Sequence, residues 1–97
     1  MRMEEIKRNR VVVSVIGKDS VGIIAGVSDV VSRFQGNVEQ ISQTILDGFF
    51  TMIMIVDLEE CSIDLGSFRE NLIQRGHDIG VKIMVQHEDI FQSMHRI

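Results

Sequence analysis

The 97-residue sequence lacks proline, tryptophan and tyrosine altogether, and it contains a single cysteine, Cys61. Because proline is absent, every turn has to be made by Gly, Asn, Asp or Ser. One cysteine can form neither an internal disulfide bond nor a cysteine-based zinc site. These absences argue against a disulfide-rich secreted protein and favour a cytoplasmic one.

Long hydrophobic runs and an excess of positive charge are also missing. No apolar run approaches the ~18 residues that a membrane-spanning helix needs, and residues 1–10 lack the hydrophobic core of a signal peptide. The net charge is −4 at pH 7, which opposes nucleic-acid binding because neutralisation of phosphates supplies much of that affinity. Residues 1–9 form a basic leader, which we interpret as a solvated tail. We therefore expect neither a membrane nor a nucleic acid among the partners.

β-Branched aliphatic residues dominate what is present. The chain has 12 Val and 14 Ile against 4 Leu and 1 Ala, and such side chains suit the pleated, half-buried surface of a sheet. Two runs, 10–16 and 49–56, are apolar on both faces and predict central strands. Two more polar runs, 37–46 and 81–86, predict edge strands. The Asp47-Gly48 pair predicts a hairpin turn between the second and third strands.

Two segments between the strands change to helical periodicity. A stripe of apolar residues at helical spacing follows Ser20, a suitable N-cap, and ends before Gly36, a suitable C-terminal stop. A second helix is predicted over 65–79, and a short docked helix over 90–97. Broken alternation near Glu39–Gln40 predicts a β-bulge in the second strand.

The predicted element order is β-α-β-β-α-β within a single domain, 1–97, whose core is 10–89. Because both crossover connections must be right-handed, the two helices lie on one face of the sheet. An α+β, ferredoxin-like sandwich meets this condition with a four-stranded antiparallel sheet in the order 4-1-3-2. That order makes the two doubly apolar strands the central pair and the two polar strands the edges.

Helices on one face leave the other face of the sheet without a cover. In the first strand Val11, Val13 and Val15 lie on one side, and Val12 and Ile16 lie on the other. Either choice of helix-covered face therefore exposes large apolar groups in a monomer. We expect a homodimer or higher homo-oligomer, with the C-terminal segment covering part of the same face.

The loop after the first strand carries a family resemblance. Residues 15–23, Val-Ile-Gly-Lys-Asp-Ser-Val-Gly-Ile, precede a helix, and Gln35-Gly36-Asn37-Val38 follows it. This arrangement resembles the ACT domain family, whose pattern is a strand, a loop ending in Pro-Gly-Ile/Val, a helix and a Gly-Asn-Ile start of the second strand. Residues 41–45 and 90–97 are similar to small stand-alone ACT-domain proteins, a group related to the ACT repeats of the glycine-cleavage-system repressor. The resemblance covers roughly residues 10–89.

The resemblance implies a non-catalytic regulatory module that uses no cofactor and binds an amino acid or another small ligand between paired domains. It places ligand contacts in the loop before the first helix and at the polar residue that opens the second strand. A helix N-terminus has free N–H groups and a positive dipole end, which suit a carboxylate, and Asn37 offers both a donor and an acceptor. Gln43 is a further candidate contact, because the second strand could pair with the same strand of a partner chain, and Gln43 would then line a site at the seam between them. The candidate ligand-binding residues are Asp19, Ser20, Val21, Gly22, Ile23, Asn37 and Gln43.

Two positions depart from the family pattern. Val21 stands where the family most often has proline, and Gly17 stands where serine-binding members tend to carry a polar side chain. Gly22 and Asn37 also have purely structural interpretations, as a turn glycine and a turn cap. The identity of the ligand therefore stays open.

Other functional classes fit the residues in different degrees. A protein-interaction or assembly module without a ligand stays open, because the apolar sheet face serves it equally well. An RNA-binding βαββαβ domain needs exposed aromatic residues on both central strands, and the first strand has none. An enzyme of the acylphosphatase type needs a loop arginine where Lys18 stands. The spacing of His87 and His95 matches no metal site, so we expect no bound metal.

The uncovered apolar face predicts an oligomer in solution. Size-exclusion chromatography coupled to light scattering, at micromolar protein concentration, is expected to give a mass of two or more chains. The mass of a single chain under those conditions would refute the expectation.

Overall fold

The computed structural model describes residues 9–94, with side chains up to residue 91. Most of the predicted basic leader and the last three residues of the predicted C-terminal helix lie outside the described residues. The elements are, in chain order, β1 (Arg10–Lys18), α1 (Ile23–Arg33), β2 (Asn37–Leu46), β3 (Phe49–Asp57), α2 (Leu65–Ile79), β4 (Val81–His87) and α3 (Glu88–Met94).

The four strands form one antiparallel sheet in the order β2-β3-β1-β4. This is the predicted ferredoxin-like order 4-1-3-2, which is thereby confirmed. β1 and β3 are the central pair, in a register that runs from Arg10 opposite Asp57 to Lys18 opposite Phe49. The predicted bulge is also confirmed, because the β2–β3 register shifts between Val38 and Gln40.

The core lies between one face of the sheet and the two long helices. Side chains with odd numbers in β1 and even numbers in β3 point towards the helices, as the period of two in a strand requires. The helices contribute the apolar stripe predicted from the sequence. The buried residues of this core are Val11, Val13 and Val15 in β1; Phe50, Met52, Met54 and Val56 in β3; Leu58 just after β3; Val81, Ile83 and Val85 in β4; Ile23, Val27, Val30 and Val31 in α1; and Phe68 and Leu72 in α2.

The ends of α1 differ from the sequence prediction. Gly22, not Ser20, is the N-cap, because a turn at residues 21–22 separates Ser20 from the helix. At the other end Gln35, not Gly36, takes the left-handed conformation, with φ 65°. The Gly36 amide donates to the Val31 carbonyl at 2.9 Å and the Gln35 amide donates to the Ser32 carbonyl at 3.0 Å. This pair of bonds is a Schellman motif, and it closes α1 one residue earlier than expected.

The second face of the sheet is covered only in part. α3 packs against β1 and β4, and Val12 on this face is 3% exposed. Further along the same face Ile16 is 51% exposed, Ile53 46% and Met84 43%. The prediction that large apolar side chains remain on the second face is therefore confirmed for these three residues. None of the helices within residues 9–94 is long and apolar enough to cross a membrane.

Two glycines of α2 make a matched pair for testing how closely this helix packs on β4. A Cβ at Gly76 would lie 2.8 Å from the Val81 carbonyl oxygen, whereas a Cβ at Gly66 would meet only the flexible Asp64 carboxylate, at 3.2 Å. We expect Gly76→Ala to lower the free energy of unfolding by about 1–3 kcal/mol through overpacking. Gly66→Ala should leave it unchanged or raise it by up to about 1 kcal/mol through helix propensity. Urea denaturation of both variants checks this, and equal effects would contradict the close packing.

Candidate ligand-binding site

The predicted binding loop lies at one end of the sheet, between β1 and α1. The Asp19 amide donates to the Gly48 carbonyl at 2.9 Å and so fastens the loop to the β2–β3 turn. The side chains of Asp19, Ser20 and Val21 are exposed. They therefore line open surface at the N-terminal end of α1.

Gly22 sets the direction in which the chain enters α1. Its φ of 94° is left-handed, and nothing lies within 4 Å of where its Cβ would be. The amides of the first helical turn, which begins at Ile23, have no partner inside the helix and carry the positive end of its dipole. The Ile23 side chain is buried in the core, so only the backbone of this residue is available to a ligand.

Asn37 lies at the opposite end of the sheet from this loop. It opens β2 opposite Asp57, which in turn pairs with Arg10 at the start of β1. The loop follows Lys18, eight residues further along β1, so the two places are separated by roughly 26 Å along the strand. One chain therefore does not bring Asn37 and the loop residues together.

A cavity of about 770 Å³ adjoins Asn37, where the C-terminal end of α1 meets the ends of β2 and β3. Three carboxylates line it, and the Asp57 carboxylate also accepts the Glu59 amide at 2.9 Å. These acidic groups and the negative end of the α1 dipole favour a positively charged group in this cavity. The lining residues are Ser28, Val31, Ser32, Gln35, Gly36, Asn37, Val38, Asp57, Glu59 and Glu60.

Strand β2, which carries Gln43, is exposed over all ten of its residues. The strands flanking a two-residue turn begin with a hydrogen-bonded pair, here Leu46 and Phe49, and pairs alternate from there. Thr44 consequently directs its carbonyl towards β3, where the Thr51 hydroxyl also donates to it at 3.2 Å. By the same alternation Ile41, Gln43 and Ile45 direct their backbone groups to the free edge.

Arg10 forms a polar cluster that the sequence did not reveal. Its guanidinium donates to Glu39 of β2 at 3.1 Å and to Glu88 of α3. The hydrogen bonds that Arg10 donates, mainly the one to Glu88 and then the one to Glu39, raise the pKa of Arg10 above its ordinary value. The cluster joins the bulge of β2 to the start of α3.

No group of three His, Cys, Asp or Glu side chains in the part of the chain that the structure describes is arranged to hold a metal ion. His87 instead accepts a hydrogen bond from the Asp89 amide at 3.1 Å. His95 lies outside the described residues. Cys61 is a half-buried thiol that packs at the margin of the core.

Comparison with known proteins gives a consistent result. Residues 9–86 match the family model described as "ACT domain". A "UPF0237 protein" of Methanocaldococcus jannaschii is 49% identical over 89 residues, which are 92% of this chain and 99% of the relative. The structure of an "ACT domain protein from Streptococcus pneumoniae" superposes with a TM-score of 0.77 at 36% identity, covering 89% of this chain and 97% of the other. A "putative glycine cleavage system transcriptional repressor" shares the fold, with a TM-score of 0.69 at 18% identity over 81% of this chain and 45% of the other.

The left-handed backbone at Gly22 generates a prediction about stability. Because the space around this residue is open, Gly22→Ala should lower the free energy of unfolding by about 1–2 kcal/mol through backbone strain alone. Gly22→Asn should cost less, since asparagine tolerates this conformation. Chemical denaturation of the two variants measures the difference. An alanine variant as stable as the parent would show that the loop adopts another conformation.

Proposed function

The chain belongs to the ACT domain family, and we propose that it is a non-catalytic regulatory module that binds an amino acid between two paired copies. The observation that carries this proposal is the separation of the two predicted half-sites. The loop at Gly22 and the cavity at Asn37 lie at opposite ends of one sheet, and an exposed strand, β2, runs between those ends. A two-fold pairing of β2 with the same strand of a second chain would join each half-site to its complement.

The backbone directions in β2 support one register for this pairing. Ile41, Gln43 and Ile45 present their N–H and C=O groups to the free edge. In a hydrogen-bonded antiparallel pair, the two opposed residues must both direct these groups towards each other. Centring the two-fold axis on Gln43 sets Ile41 opposite the partner's Ile45 and uses all three residues. The two resulting isoleucine pairs lie on the helix side, one on each side of the central Gln43 pair, and both isoleucines are exposed in the single chain.

That register also supports a composite site. Because the strands run antiparallel, the partner's Asn37 would extend past Leu46 to the turn at Gly48. This turn accepts the Asp19 amide and so lies beside the binding loop. An isologous interface would create two such sites per dimer.

The charges at the two half-sites suit the two ends of an amino acid. The first amides of α1 suit a carboxylate, and the acidic cavity beside the partner's Asn37 suits an ammonium group. At Gly17, where serine-binding members carry a polar side chain, Val81 occupies the space that a side chain would need. A Cβ at this position would lie 2.8 Å from the Val81 side chain. We infer that the loop contacts its ligand through backbone groups rather than through a side chain at this position.

A protein-interaction module is the second candidate, and the uncovered sheet face supports it. Ile16, Ile53 and Met84 form an exposed apolar patch on the face opposite α1 and α2. Such a patch would serve a protein partner without any small ligand. This candidate predicts a stable assembly that no amino acid stabilises further.

A thermal-shift screen against the twenty amino acids and related small metabolites tests the proposed function. A ligand that binds only the folded protein should raise Tm in proportion to its occupancy. Asn37→Ala and Gly22→Asp should each abolish the shift, because each removes one half of every site. Gly80→Asp is the matched control, since Gly80 also has a positive φ, 80°, and open space around it but lies at the end of α2.

Mixing Asn37→Ala with Gly22→Asp, the two variants expected not to bind the ligand, tests whether the site is shared between chains. A dimer of one Asn37→Ala chain and one Gly22→Asp chain contains one intact site and one doubly altered site. Refolding an equimolar mixture should therefore restore binding to about a quarter of all sites, as measured by calorimetry. No restoration would refute a shared site, and no shift with any ligand would favour the protein-interaction module.

A further inference from the structure

Arg10 bridges two elements that are otherwise separate. Its Nη1 atom lies 3.1 Å from the Glu39 carboxylate, its Nη2 atom contacts the Glu88 carboxylate, and the side chains of Arg10, Glu39 and Glu88 are partly exposed, at 26%, 25% and 15%. Partial burial strengthens such contacts relative to fully exposed ion pairs. Nε of Arg10 is buried without a hydrogen-bond partner in the described part of the chain, so both stabilising contacts of the guanidinium go to these two carboxylates.

Glu39 is the extra residue of the bulge in β2. The register passes from Val38 opposite Val56 directly to Gln40 opposite Ile55, so Glu39 has no partner residue in β3. A residue in a bulge is held by the local bend of its strand. The position of the Glu39 carboxylate therefore depends on the conformation of the free edge, two residues from Asn37.

α3 is stable as a helix only while it packs against the sheet. Seven residues are too few for an isolated helix to be stable in water, and α3 follows β4 without an intervening loop. Its described packing is against β1 and β4, at the end of the face where Val12 is buried. Glu88, its first residue, is the one that Arg10 holds.

We infer that Arg10 couples the conformation of the β2 edge to the docking of α3, so that a change at the edge shifts α3 between a docked and a released state. The coupling has a defined input, the bulge at Glu39, and a defined output, a short helix that would be either docked on the sheet or released from it. Release of α3 would uncover the part of the sheet face around Val12. The coupling does not require that a ligand binds.

The direction of the coupling follows from how the guanidinium is held. Glu39 orients Arg10 from one side, which places Nη2 against Glu88 with little loss of side-chain freedom. Without Glu39 the arginine side chain gains rotamer freedom, and the contact with Glu88 has to restrict that freedom alone. A displaced Glu39 therefore weakens the docking of α3, although Glu39 itself belongs to another element.

Hydrogen exchange of the intact chain, read by mass spectrometry, tests the coupling. Glu88→Ala should raise the exchange rate of the α3 amides about five- to tenfold, and Glu39→Ala should raise the same rate about threefold. By reciprocity Glu88→Ala should also raise exchange around the β2 bulge. The double variant should exchange no faster in α3 than Glu88→Ala alone, because both variants break one linkage.

Two control variants separate this coupling from simpler effects. Asp89→Ala removes an equivalent first-turn charge from α3 without touching Arg10, and Gln40→Ala alters the neighbouring residue of β2. Both should leave exchange in α3 within twofold of the parent, and α2 should exchange equally in all variants. The inference is overturned if Glu39→Ala leaves α3 unchanged or slows its exchange. It is also overturned if Asp89→Ala acts as strongly as Glu88→Ala.

Discussion

The packing of β1 and β3 against α1 and α2 fixes the face of the sheet to which each strand side chain points. Burial of Val11, Val13 and Val15 under the helices sends Arg10, Val12 and Ile16 to the second face, since a strand alternates with a period of two. A slip of one residue would exchange the two sets and leave Arg10 in the core. The β1–β3 register also sets where the bulge in β2 lies relative to β1, and so places Glu39 beside Arg10.

The same packing separates functional surfaces from the core. The helix-facing side is filled by aliphatic and sulfur-containing side chains, and no polar side chain among the described residues is fully buried there. The polar groups of the candidate ligand site consequently lie at the sheet ends, in the connecting loops or along β2. A ligand site in this fold is therefore built from strand and helix termini, where backbone groups are unpaired.

Much of this arrangement can be predicted from the sequence, because it depends on strong local signals. The Asp47-Gly48 turn pairs Leu46 with Phe49, and counting back through one bulge residue sets Asn37 opposite Asp57. The acidic surroundings of Asn37 could therefore have been predicted from the sequence. The α1 termini were predicted wrongly, because an αL residue at Gly22 and a Schellman motif at Gln35 replace the more usual caps. The Arg10 cluster could not be predicted, since it depends on where α3 docks, and no local pattern encodes that position.

The two edges of the sheet differ in how well their backbone groups are covered, and this difference bears on assembly. At β4 the Arg69 guanidinium donates to the outward Val85 carbonyl at 3.0 Å, and α2 approaches the Val81 carbonyl so closely that only glycine fits at position 76. At β2, Ile41, Gln43 and Ile45 direct their backbone groups to the free edge, and no such cover lies over them among the described residues. An uncovered edge of this length invites pairing with another strand, which proteins usually prevent. The proposed pairing of two β2 strands gives that edge a partner, and the same step would bring the separated loop and Asn37 cavity into one site.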